Sequence, residues 1–176
     1  GTPTVYEEFQ KGDIYFSDKT VIRNRMINYD CYQDRILLNS GELDYVIQAR
    51  HIDYLLFHVR EDTSDLFKQV FLLDKKKAVL MKVLYSGEST LYKYYYKTFQ
   101  EADYTGPYSQ DRRYDEYRDE QAWYIRQPGK EIQKLRPKKK IILQIMESES
   151  VEIERFLKEN KPDLKSDTYL IRLVKY

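Results

Sequence analysis

Apolar and polar positions alternate in short runs through the first hundred residues, and polar turns break the runs. Residues 12–16 form one run, Ser17-Asp18-Lys19 supplies a turn, and 20–28 follows with the β-branched residues Thr20, Val21, Ile22 and Ile27. Together they predict a hairpin, because Asp and Ser side chains bond nearby backbone and β-branched side chains suit a pleated surface. Residues 35–38 are apolar and end at Asn39-Ser40-Gly41-Glu42, a strong turn signal. In 43–48, Leu43, Tyr45 and Ile47 share one face of a strand, and Asp44, Val46 and Gln48 share the other. Residues 53–59 are mostly apolar and predict a central strand covered on both faces. Residues 67–73 and 78–85 make the next pair across Asp74-Lys75-Lys76-Lys77, and Ser86-Gly87-Glu88-Ser89 turns the chain into 91–99. Short strands at regular spacing with no helical pattern between them predict an antiparallel meander, curled into a half-barrel because an open sheet of about eight strands tends to curl.

The pattern changes over 100–120, which is charged, tyrosine-rich and almost without aliphatic residues, with Gly106-Pro107 inside it. It predicts a long loop or internal connection. A strand at 121–127, a turn at Pro128-Gly129 and a strand at 130–135 predict one more hairpin. Helical spacing then takes over. Pro137 suits a helix start, and Ile141, Ile142, Ile145 and Met146 form one face. Ser148 or Ser150 caps a second helix with the stripe Ile153, Phe156 and Leu157, which Pro162 ends. Ser166 or Asp167 caps a third, carrying Tyr169, Leu170, Leu173 and Val174. The expected fold is α+β: one domain over 1–176, with a β-meander or half-barrel at 1–99, a tyrosine-rich connection at 100–120, and a hairpin with two or three C-terminal helices at 121–176.

Composition adds one feature to this pattern. The chain has 18 Tyr, one Trp and seven Phe, against six Gly and five Pro. Tyrosine favours strands because its flat amphipathic ring fits a half-buried sheet, so packing is its plain use. Its sharper use is an exposed binding platform. Tyr92, Tyr94 and Tyr96 lie on one face of the predicted strand 91–99, with Lys93, Tyr95 and Lys97 on the other, and Tyr104, Tyr108, Trp123 and Tyr124 follow. Aromatic faces stack on sugar rings and on the anchor side chains of peptides. Tyr92, Tyr94, Tyr95, Tyr96, Tyr104, Tyr108, Trp123 and Tyr124 are therefore the candidate ligand-binding residues.

Charge and motifs narrow the chemistry. Net charge is +1, with 14 basic and 14 acidic residues in 1–100, so the totals give no support for a nucleic-acid-binding face. A basic stretch at 130–140 is balanced by the acidic 147–167 and predicts salt bridging or solvation. Two histidines, His51 and His58, are too few for a histidine metal site, and no metal or cofactor is expected. Cys31 is alone and predicts a small semi-buried side chain. The acidic pairs Glu7-Glu8, Asp115-Glu116 and Asp119-Glu120 could serve glycoside hydrolysis only if the fold opposed two of them. There is no phosphate loop and no nucleophile elbow, and sequence spacing assembles no Ser/His/Asp set, so no catalytic residue is assigned. No apolar run is long enough to span a membrane as a helix. Gly1 stands where a start methionine would, which leaves room for a removed export signal.

The two ends carry a further pattern. KGDIYFSDKTVIRNRMINYDCYQDRILL, residues 11–38, holds Lys-Gly, a strand, Asp18-Lys19-Thr20, a second strand, then Tyr29-Asp30-Cys31-Tyr32 and a third. IERFLKENKPDLKSDTYLIRLVKY, residues 153–176, follows the lysine-rich helix start Lys138-Lys139-Lys140. In this order they resemble a large family of exported proteins of unknown function from Bacteroidetes. That family usually has Asp-Gly-Thr at the first place and Tyr-Asn-x-Tyr at the second, so Lys19 and Asp30 depart from it. The resemblance implies a cleaved signal peptide and a periplasmic or cell-surface location, and it carries over no functional residue. The expected function is a non-enzymatic envelope protein that binds a protein or glycan. The alternatives are a hydrolase of envelope or dietary polymers, and a regulatory or nucleic-acid-binding module using 130–140.

Overall fold

A computed structural model describes residues 1–102, 114–136, 138–146, 150–159, 163 and 165–175. Tyr104, Gly106, Pro107, Tyr108, Pro137, Ser148 and Pro162, named above, lie outside the described residues. The strands are β1 (Gln10–Phe16), β2 (Val21–Asp30), β3 (Arg35–Asn39), β4 (Asp44–Gln48), β5 (Ile52–Arg60), β6 (Thr63–Leu72), β7 (Lys77–Ser86), β8 (Thr90–Gln100), β9 (Glu116–Arg126) and β10 (Gln133–Leu135). The helices are α1 (Lys139–Ile145), α2 (Ser150–Glu159) and α3 (Asp167–Lys175). The strands form one sheet in the order β10-β9-β8-β7-β6-β5-β1-β2-β3-β4, and the described pairs β9–β10, β7–β8, β5–β6, β1–β5, β1–β2, β2–β3 and β3–β4 are antiparallel. This is the expected α+β meander followed by helices. Strand β9 starts at Glu116, inside the stretch expected to be a connection. Cross-strand backbone bonds need no aliphatic side chain, so a charged segment joins a sheet once a neighbour is in place.

Packing divides the chain into two compact units, 1–81 with 95–121, and 82–94 with 122–176. The division runs through β7, β8 and β9 rather than through a connection.

The first unit coils. A short 3-10 turn, Ala49–His51, joins β4 to β5. Four residue steps reach about 14 Å at full extension, whereas four strand spacings in a flat sheet measure about 19 Å. The strands between β4 and β5 must therefore curl to let the turn close. The curl wraps a core of Ile14, Ile27, Tyr29, Ile36, Ile52, Leu55, Phe57 and Phe67, each 1% exposed or less. Tyr29 on β2 meets Phe67 on β6 edge to face, at 6.3 Å between ring centroids. At Gly12 a Cβ would lie 2.5 Å from the Leu56 carbonyl oxygen, so only glycine lets β1 approach β5 so closely.

The second unit packs the three helices on sheet residues. Ile142, Ile145 and Met146, then Ile153, Phe156 and Leu157, then Tyr169, Leu170 and Leu173 cover Leu91, Trp123, Ile125 and Leu135. The helical stripes are those expected from the sequence. Ser166 caps α3, its Oγ accepting the Tyr169 N–H at 3.4 Å. Asp167 accepts the Trp123 indole N–H and the Lys93 ammonium, both at 2.8 Å, which fastens the start of α3 to β8 and β9. A charge so nearly buried is retained because it is paired and hydrogen-bonded.

Candidate functional site

The eight candidate tyrosine and tryptophan positions fall into three groups. Tyr92, Tyr94, Trp123 and Tyr124 are buried, at 4%, 5%, 5% and 1% exposure. Strand β8 is covered on both faces at this point: Leu91 lies under the helices, and the Arg126 guanidinium sits 5.8 Å over the Tyr92 ring. Tyr95 packs on Phe67 and Tyr96 lies under the Lys75 ammonium, both half-buried. Desolvation, and then the Glu120 carboxylate, raise the Tyr96 phenol above its ordinary pKa. Tyr104 and Tyr108 lie outside the described residues. The four buried rings, Tyr92, Tyr94, Trp123 and Tyr124, present no open face to a ligand.

An exposed aromatic cluster does form in the first unit. Tyr32 stands on the turn between β2 and β3, Phe99 near the end of β8, and Tyr117 near the start of β9. Their centroids lie 6.4 Å (Tyr32–Phe99), 5.2 Å (Tyr32–Tyr117) and 5.2 Å (Phe99–Tyr117) apart, with interplanar angles of 49°, 67° and 53°. Tyr32 is 42% exposed and Phe99 38%, while Tyr114, three residues before Tyr117, is 81% exposed. Lys97 pairs with Asp119 on the same two strands.

The turn that carries Tyr32 is built by Asp30. Its buried carboxylate accepts the N–H groups of Tyr32 and Gln33 at 3.1 and 2.9 Å through one oxygen, and Arg35 Nε at 2.9 Å through the other. Asp34 takes a positive φ of 57° and receives the Tyr29 hydroxyl at 2.6 Å. Cys31 is buried beside it, its thiol donating toward the Pro3 carbonyl at 3.4 Å. Desolvation pushes that thiol up to about 12, which leaves it a packing group and not a nucleophile.

A second constellation was invisible in the sequence. His58 on β5 lies 3.2 Å through Nδ1 from the Ser64 hydroxyl and 3.4 Å through Nε2 from Asp13 Oδ2. The register of β1 with β5 and of β5 with β6 brings these three together. In the hydrolytic triad serine meets Nε2 and aspartate Nδ1, so the ring here is turned the other way. Asp13 also accepts the Asn24 N–H at 2.8 Å, which ties it to the β1–β2 hairpin.

Among the described residues no group of three His, Cys, Asp or Glu is placed to hold a metal ion. No described helix is long and apolar enough to cross a membrane. The basic side chains Lys130, Lys134, Arg136, Lys138, Lys139 and Lys140 are all exposed in the second unit. No family model matches the chain, and no curated protein or solved structure matches it either.

Proposed function

We propose that this chain is a non-enzymatic binding protein of the bacterial envelope, and that Tyr32, Phe99, Tyr114 and Tyr117 form its contact surface for a protein partner. The supporting observation is the three-ring cluster in which Tyr32 and Phe99 are exposed and Tyr32 stands on a turn held by Asp30. Its rings are tilted 49–67° from one another, a faceted cup that suits an apolar peptide anchor better than the flat face of a sugar. The envelope location is supported by the resemblance of residues 11–38 and 153–176 to an exported family.

The test is photo-crosslinking from position 114 in the full chain, expressed in its own host. The expected result is one dominant envelope protein, with capture falling about tenfold or more in Tyr32→Ser/Tyr117→Ser, as at an aromatic hot spot. Equal capture by the double variant sinks the assignment of the surface. Specific retention on an envelope polysaccharide, lost in the same variant, moves the partner from protein to glycan. Recovery of the protein from the cytoplasm overturns the location.

A hydrolytic second reading rests on Asp13, His58 and Ser64. It predicts an esterase activity that Ser64→Ala abolishes; an activity of the same size in that variant removes it.

A further inference from the structure

We propose that β4 is a self-association edge, and that two copies of this chain pair β4 to β4, antiparallel, about a two-fold axis at Val46. The inference is independent of the aromatic cluster.

Strand β4 ends the sheet order and, among the described residues, has only β3 beside it. Which of its backbone groups face outward follows from the turn. The Ser40 N–H donates to the Leu43 carbonyl at 3.1 Å, closing a two-residue turn in which Gly41 has a φ of 86°. Antiparallel pairs alternate between bonded and non-bonded, so Leu38 with Tyr45 and Ile36 with Ile47 exchange hydrogen bonds. Leu37 opposite Val46 does not. The N–H and C=O groups of Asp44, Val46 and Gln48 therefore point away from β3, in a row that another strand can meet.

Nothing blunts this edge. Strand β4 contains no proline, lysine or bulge, and its register against β3 is continuous. Leu43, Tyr45 and Val46 are 63%, 51% and 52% exposed. At the opposite end of the sheet order β10 is three residues long and carries Lys134. Short strands and lysines are how sheets avoid edge pairing, so β4 is the exception in its own molecule.

The occupant follows from the sequence of the edge, Asp44-Tyr45-Val46-Ile47-Gln48. Antiparallel pairing about Val46 places Val46 opposite Val46, Tyr45 opposite Ile47 and Asp44 opposite Gln48. Apolar meets apolar, and no like charges oppose. Centring the axis between Val46 and Ile47 instead would set Tyr45 against Gln48. A two-fold contact requires this kind of self-complementarity. Five paired residues per copy fall short of the roughly 1,000 Å² expected of a firm interface, so the dimer is concentration-dependent.

Sedimentation velocity over a concentration series, together with disulfide trapping of the full chain, tests the proposal. Val46→Cys is expected to give a linked dimer on mild oxidation, because bonded antiparallel partners sit about 5.5 Å apart at Cα, within disulfide range. Leu73→Cys, with a parent side chain 57% exposed at the end of β6, is the control and is expected to link at least tenfold more slowly. Val46→Lys is expected to weaken association at least tenfold. Val46 and Leu73 are both exposed, so these variants keep the fold. A monomer at every concentration overturns the proposal. So does equal linking of the two cysteine variants, or association unchanged by Val46→Lys.

Discussion

The aromatic residues of the two units meet opposite fates. In the second unit Trp123 is 5% exposed beneath the helices, and its indole N–H is satisfied by Asp167 at 2.8 Å. In the first unit Tyr32 and Phe99 are 42% and 38% exposed, although they pack on each other and on Tyr117 as closely as core rings do. Ring-to-ring contact is thus common to both, and what differs is cover. The second unit has three helices to lay over its sheet residues, whereas the cluster in the first joins a polar turn, which carries Tyr32, to the strand ends that carry Phe99 and Tyr117. An aromatic group that pays no covering role to a helix is where a partner is expected to dock.

Breaking the covered side produces the largest effect. Trp123→Ala empties a buried ring site and strips Asp167 of a donor, and is expected to destabilise the fold by about 4 kcal/mol in urea unfolding. A loss below about 1 kcal/mol would mean that the helices hold without it. Breaking the turn on the exposed side comes next. Asp30→Ala leaves two backbone N–H groups and Arg35 without their acceptor and is expected to cost about 3 kcal/mol. It also releases Tyr32 from its ring partners, so near-ultraviolet circular dichroism should change with it. Asp30→Asn retains one acceptor oxygen for the turn and should lose less.

Alkali sharpens the same contrast, since two strongly suppressed ionisations, those of Cys31 and Tyr6, lie in the first unit. Burial raises Cys31 from 9.0 to about 12, and desolvation followed by the hydrogen bond to Asp65 raises Tyr6 above its usual 10.0. A group whose folded pKa is raised stabilises the fold fully below its unfolded pKa and loses that contribution as pH climbs through the folded value. Stability should therefore be flat with respect to these groups below pH 9 and fall progressively from pH 9 to 12. Tyr6→Phe and Cys31→Ala should each flatten that fall; an unchanged slope in both excludes these groups as its source. The smallest expected effect is a gain. Lys19 holds a φ of 75° in the β1–β2 turn, and its ion pair with Asp53 spans two exposed groups at 3.5 Å. Lys19→Gly relieves the left-handed backbone at the loss of a weak pair, and is expected to stabilise by about 0.5 kcal/mol.

Much of the fold was legible because alternation and helical spacing are local. Leu43, Tyr45 and Ile47, or Ile153, Phe156 and Leu157, declare their faces within one element. The turn at 39–42 and the Ser166 cap were legible for the same reason. Strand β9 from Glu116 was not, because its charged start takes its conformation from a neighbouring strand. Nor was the double cover of Tyr92 and Tyr94, since periodicity shows that a strand has two faces but not what lies over each. The cluster of Tyr32, Phe99 and Tyr117 left no trace in spacing, and neither did Asp13, His58 and Ser64.

By itself, then, the sequence determined which segments are strands and helices, where most turns fall, and that 176 residues with few glycines and many tyrosines build a sheet-rich chain. It also holds the self-complementary run from Asp44 to Gln48. Only the tertiary structure decided that β5 returns to lie beside β1, that β4 is left at an edge, and which rings are covered. These outcomes depend on contacts between residues far apart in the chain. Such contacts are set by register and curl, and no local pattern encodes them.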